Sequence, residues 1–199
     1  RLKQDSVYLD DFGAAAGMAQ RMIERGHRRL AYVNFFACEH YSVSDRRDGF
    51  ARTAAKAGLQ AVTLERSMDR DDRGTTEDRR IEPARALLDS PDRPTAVLCY
   101  DMASAGPLLQ AAATLGLRVP EDLSLVTFGR PYHNISGIPL TTISDDLDTA
   151  GRIAAQLIRR KMQNASEPLR SKSLTMPIVE AGSIVSPGQA SSNTLTSQA

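Results

Sequence analysis

Ala96-Val97-Leu98-Cys99, a helical pattern from Ala103 to Leu115 closed by Gly116, then Leu123-Ser124-Leu125-Val126-Thr127-Phe128: this run sets the architecture of the whole chain. Two short apolar segments joined by a helix make a βαβ unit, in which the strands are parallel and the crossover is right-handed. The same alternation extends upstream. Leu30 to Phe35 reads as a buried strand, and Ser44 or Asp45 is placed to cap a helix that runs to about Lys56 and closes at Gly58. Ala61 to Leu64 follows as a strand and Glu77 to Leu88 as a helix. Near the start, Val7-Tyr8-Leu9 is a strand candidate before a helix from about Phe12 to Glu24 that stops at Gly26. The expected class is α/β, a parallel sheet covered by helices on both faces.

Beyond Phe128 the rhythm changes. Pro131 to Pro139 reads as a loop, Leu140 to Ile143 as a strand, and Leu147 to Met162 as an amphipathic helix whose basic end, Arg159-Arg160-Lys161, suits a helix C-terminus. The acidic run Asp145-Asp146-Leu147-Asp148 fits the start of that helix, with Ser144 or Asp145 as its cap and one carboxylate left to face a cleft. Ser173 to Val179 contains Pro177 and reads as an edge strand. Gly188 to Ala199 is rich in Ser, Thr, Gln and Ala and is expected to be disordered.

The composition is that of an ordinary globular protein: 199 residues, 41% hydrophobic, 25% charged, with 25 basic against 24 acidic side chains. A chain of this length buries roughly 70% of its unfolded surface, so its core needs no metal or disulfide staple. Cys38 and Cys99 are far apart in apolar surroundings and read as buried thiols. No apolar run is long enough to span a bilayer and the first residues lack a secretory signal, so the cytoplasm is the expected location. A formal charge of +1, with basic and acidic residues interleaved, gives this chain no strong pull of its own toward DNA.

Catalytic signatures are missing from the sequence: there is no phosphate loop, no G-x-G-x-x-G, no G-x-S-x-G elbow and no H-E-x-x-H. His27, His40 and His133 lack ligand-like spacing, and Cys38 with His40 falls short of a metal site. No cofactor or metal is expected. Asn134-Ile135-Ser136 and Asn164-Ala165-Ser166 match glycosylation sequons by chance. In open α/β sheets, ligands bind beyond the carboxyl ends of the strands. Those ends carry Asn34-Phe35-Phe36 with the following Ser42 to Arg46, then Tyr100-Asp101, then Gly129-Arg130, so polar, aromatic and charged groups meet on one rim. Asp101 is equally placed to cap the next helix, and Arg46 to lie on a solvated helix face.

Several segments resemble the lactose-repressor (LacI) family of bacterial transcription regulators. Gly26-His27-Arg28-Arg29-Leu30-Ala31-Tyr32-Val33 is similar to the family's GHRRIAFI segment, and Arg46-Arg47-Asp48-Gly49-Phe50 to its RxxGF. Pro91 to Val97 matches PDRPTAI, and Gly116 to Val126 matches GLRVPEDVSVV, before Pro139-Leu140-Thr141-Thr142-Ile143 completes the order. The likeness covers about residues 7–187. It implies an effector-binding core of the periplasmic-binding-protein type, in which a small molecule sits between two α/β subdomains and changes operator affinity.

By this resemblance the chain is mainly the C-terminal subdomain with an incomplete N-terminal one: 1–11 a remnant, 12–138 the effector-binding subdomain, 139–165 a crossover and returning helix, 166–187 the return, and 188–199 a tail. Val7 to Leu9 and the helix from Leu147 to Met162 are then expected to show apolar faces that lack their usual neighbours. The resemblance also implies a homodimer, with operator DNA bound through an N-terminal helix-turn-helix that this chain lacks.

Carried over residue by residue, the implied effector positions are Ser42, Arg46, Tyr100, Asp101, Phe128, Arg130 and Asp145. Tyr100 replaces the asparagine of the family's ND pair, and Thr127-Phe128-Gly129-Arg130 stands where GFDD is usual. The resemblance implies a small-molecule effector, often a sugar; loss of that carboxylate and gain of Arg130, paired with Arg46, makes a neutral polyol less favoured and brings in an anionic or aromatic metabolite as the alternative. A periplasmic solute-binding protein shares the architecture and is the rival reading; an α/β enzyme is a weaker one.

Overall fold

The computed structural model describes residues 5–35, 40–65, 78–130, 134–135, 137–168 and 170–188. In chain order these form β1 (Ser6–Leu9), α1 (Asp11–Glu24), β2 (Leu30–Asn34), α2 (Tyr41–Lys56), β3 (Val62–Glu65), α3 (Asp78–Leu88), β4 (Ala96–Cys99) and α4 (Met102–Thr114). β5 (Ser124–Gly129), β6 (Asn134–Ile135), β7 (Ile138–Pro139), β8 (Thr141–Ser144), α5 (Leu147–Gln163), β9 (Ser171–Leu174) and β10 (Ile178–Val179) follow.

A six-stranded sheet in the order β10-β8-β5-β4-β2-β3 carries the structure. Its pairings from β8 to β3 are parallel, as the βαβ pattern requires, and β10 alone runs antiparallel, on β8. Because side chains alternate across a strand, each central strand feeds two cores. Leu30 and Tyr32 of β2, Ala96 and Leu98 of β4, and Val126 and Phe128 of β5 face Ala15, Met18, Ala19 and Met22 of α1 and Phe50 and Ala54 of α2. On the other face, Ala31, Val33, Val97, Cys99 and Leu125 pack on Ala84 and Leu88 of α3 and on Leu108, Leu109, Ala111 and Ala112 of α4. Every residue of β2 is buried, which explains its apolar run from Leu30 to Val33 before the polar Asn34.

Several boundaries differ from the sequence reading. α2 begins a turn earlier than Ser44, because His40 accepts from the Ser42 backbone N–H and caps it. Asp146, rather than Ser144 or Asp145, caps α5 by accepting from Thr149 N at 3.0 Å. The expected loop before Pro139 contains the short β6–β7 hairpin. The single edge strand expected over Ser173 to Val179 is split around Pro177: β9 pairs in parallel with β1 in a separate two-stranded sheet, while β10 joins the main sheet. β9 ends at Leu174, and Pro177, whose carbonyl accepts from Ser144 N at 2.8 Å, stands just before β10.

The β1–β9 pair and α5 form a thin layer outside the main sheet. No residue of α5 is buried, and Leu147, Ile158 and Met162 are 54%, 61% and 83% exposed. Val7, Ala154, Leu157, Ile158 and Met162 line an open groove there. Among the described residues no helix is long and apolar enough to cross a membrane. Cys99 is buried and free, and burial pushes its thiol up; Cys38, His133 and the tail from residue 189 lie outside the described residues.

Candidate functional site

The chain leaves β2 and β4 in opposite directions. After β2 it turns onto the face of α1 and α2; after β4 it turns onto the face of α3 and α4. Strand order reverses at this point, with β3 on one side of β2 and β4 on the other. Divergence of the two connections opens a crevice at the carboxyl edge of the sheet.

Arg46 of α2 is the hub of that edge, and its guanidinium is 9% exposed. Its Nε donates to Asp11 Oδ1 at 2.6 Å and its Nη1 to the Tyr100 carbonyl at 2.8 Å, while Nη2 stands 3.6 Å from Asp145 Oδ1. The same guanidinium lies 3.9 Å from the Phe128 ring centroid and 4.8 Å from that of Tyr100, within cation–π range. One side chain thus joins the start of α1, the tips of β4 and β5, and the turn after β8. Burial outweighs the attraction of Arg46 and holds the Asp11 carboxyl above its usual value, with Asp145 and Asp45 adding to the effect.

A hydroxyl chain runs beside this hub. His40 Nδ1 accepts from the Ser42 backbone N–H, so Ser42 Oγ donates to it at 2.7 Å and receives the Tyr100 hydroxyl at 3.0 Å. Asp101 caps α4, its Oδ1 accepting from Ser104 N at 2.8 Å and from Ser104 Oγ at 2.7 Å. Gly129, at φ +145°, takes a backbone conformation that L side chains rarely adopt, and there the chain turns out of β5. Exposed Arg130 follows. It shares with Ser144, Asp145, Asp146, Leu147, Asp148 and Pro177 an open depression of about 420 Å³.

Of the residues read from sequence, the structure gathers Ser42, Arg46, Tyr100, Phe128 and Asp145 into one contact network. Arg130 lies at its mouth beside Asp145, and Asp101 serves as a cap. Asp11 and the Tyr100 carbonyl take two of the Arg46 donors. Asp11 and His40 were not anticipated. Asp10-Asp11 held the clue, since a helix start needs one cap: Asp10 accepts from Gly13 N, and Asp11, 2% exposed, is left to face Arg46. Among the described residues no cluster of three or more metal-ligating side chains forms.

Comparison with known proteins agrees with this geometry. The model of the periplasmic binding protein-like domain matches residues 19–184. The chain belongs to this family. It is of the LacI type: it is 30% identical over 185 residues to a probable opine utilization operon repressor of Rhizobium rhizogenes, covering 88% of this chain and 91% of that protein. It is 28% identical to the transcriptional repressor CytR of Escherichia coli over 92% of this chain, and spans about half, 52%, of CytR. A LacI-family regulator from Rhizobium etli superposes with a TM-score of 0.79 at 25% identity, over 93% of this chain and 66% of that one. These relatives are transcriptional repressors rather than enzymes, and the solute-binding rival is not favoured. The LacI-type domain is a ligand-sensing one, and the crevice at Arg46 lies where open α/β sheets hold ligands.

Proposed function

We propose that this LacI-type domain senses a small hydroxyl-bearing effector held between the strand tips, in contact with Ser42, Arg46, Tyr100, Asp101, Phe128, Arg130 and Asp145. The observation that carries the reading is Asp145 Oδ1. It is buried and accepts no hydrogen bond, with Arg46 Nη2 only at ion-pair range. A buried acceptor without a donor costs about 1–3 kcal/mol, and a ligand hydroxyl removes that cost. With the charge of Arg46 already met by Asp11, a donor-rich polyol suits this position better than an anion. Arg130, exposed at the mouth, supports a second reading in which the effector also carries a carboxylate.

In the full regulator, α1 to β8 together with β10 form one lobe and β1, α5 and β9 belong to the other, so the chain crosses between them after β1, after β8 and after β9. Effector binding favours one orientation of the lobes, and its differential affinity for the two states sets operator affinity. The regulator works in the cytoplasm as a homodimer, because two-fold protein symmetry mirrors that of a palindromic operator. DNA is held by a helix-turn-helix outside this chain. A thermal-shift panel of D-ribose, L-arabinose, succinate and an opine tests the reading. At least one hydroxyl-bearing compound is expected to raise the melting temperature, and Asp145→Asn to weaken it about tenfold. A shift from succinate alone, insensitive to Asp145→Asn, contradicts the polyol assignment.

A further inference from the structure

At the opposite, amino-terminal edge of the sheet lies a second polar cavity, of about 410 Å³, lined by His27, Arg29, Arg93, Thr95, Glu121 and Asp122 among others. It falls in the size range of small-molecule sites. Its floor is built rather than incidental. His27, 1% exposed, has Nε2 at 2.8 Å from the Val185 carbonyl and Nδ1 at 2.9 Å from Thr95 Oγ1. A carbonyl only accepts, so Nε2 carries the proton and Nδ1 receives the Thr95 hydroxyl. Burial lowers the pKa of the ring, in keeping with the neutral form. Ser124, also 1% exposed, closes the floor against Val185.

The walls carry two positioned guanidinium groups. Arg29 Nε donates to the Arg93 carbonyl at 2.8 Å, and Arg93 Nη1 donates to the Asp122 carbonyl at 2.9 Å. Each arginine is thereby tied to backbone by one nitrogen and keeps further N–H groups beyond that tether. Neither arginine forms a described ion pair, although Arg93 also attracts the Asp122 carboxylate. The nearby acid Asp122 is held by Arg118, whose Nε and Nη2 reach its two oxygens at 2.7 and 3.1 Å and bring its carboxyl down to about 2. Glu121 is the remaining negative charge on the lining.

We propose that this cavity is a second ligand site, taking a small oxyanion, carboxylate or phosphate, on Arg29 and Arg93. Fixed guanidinium forks match both groups. The site is separated from the effector crevice by the length of β2, β4 and β5, and it does not rest on the effector reading. Calorimetric titration of the whole chain with inorganic phosphate and, separately, with succinate tests it, with chloride as the control ion. Saturable binding of at least one is expected. Arg29→Gln and Arg93→Gln should each weaken it roughly tenfold, and Glu121→Gln should strengthen it by removing the opposing charge. Phosphate and succinate distinguish the two anion sources. Absence of saturable binding for both overturns the proposal. So does binding that Arg29→Gln and Arg93→Gln leave unchanged in protein whose circular dichroism remains that of the parent.

Discussion

Arg46 shows how one side chain can be both structural and poised for a ligand. Buried with Asp11 on one side and two aromatic rings against its guanidinium, it cannot be removed without stranding a carboxylate. Arg46→Met is expected to cost about 3–5 kcal/mol in urea unfolding, and adding Asp11→Asn should recover part of the loss. Asp145, more open, should tolerate Asn with little loss of stability. His27 gives a second test at this scale. Its folded pKa lies below the ordinary 6.5, so below pH 6.5 the unfolded chain takes up a proton that the folded chain resists. The stability from His27 is full above that pH and is lost as pH falls toward the folded value. Asp11 works in the opposite sense, because its raised pKa makes ionisation costlier as pH climbs above the usual 3.8. Denaturation at pH 8, 6 and 5 should show a loss on acidification that is smaller in His27→Gln; equal losses in both proteins would assign the slope elsewhere.

Elements carry the positions of these residues. α1 and α2 approach so closely that a Cβ on Gly49 would lie 2.3 Å from the Phe12 carbonyl oxygen. Gly49→Ala must push the helices apart and is expected to destabilise by about 1–3 kcal/mol in urea unfolding. Because Arg46 precedes Gly49 by one turn on the same helix, ligand affinity should fall with it. Most of the elements were legible in the sequence. The runs Leu30 to Phe35, Ala96 to Cys99 and Leu123 to Phe128 hold β2, β4 and most of β5, which are buried on both faces and therefore largely apolar. Legibility ended where a boundary depended on which of several adjacent polar residues caps a helix. His40 competes with Ser44 and Asp45, and Asp146 with Ser144 and Asp145, and only the path of the incoming chain decides between them. The split at Pro177 was half visible: the proline marks a strand defect, but not that the segments on either side join different sheets. In the site, strand-end position pointed to Tyr100, Asp101 and Arg130, whereas the Asp11–Arg46 pair joins residues far apart in the chain and emerges only from packing.

At the scale of the whole molecule, the main sheet carries buried helices on both faces, and the β1–β9 pair with α5 has no such cover among the described residues. α5 contributes no buried residue, so its backbone hydrogen bonds rest on little packing. Amide hydrogen exchange is expected to be much faster in α5 than in α1 or α4, and equal protection would mean that another surface covers it. The central claim is that the carboxyl edge of the main sheet is the place of recognition. Backbone amide NMR during titration with whichever compound of the D-ribose, L-arabinose, succinate and opine panel stabilises the chain tests it most directly. The account predicts shifts concentrated at Asn34 and Phe35, Ser42 to Arg46, Tyr100 and Asp101, Gly129 and Arg130, and Ser144 and Asp145. Saturable shifts confined to other parts of the chain, with these amides unmoved, would contradict it.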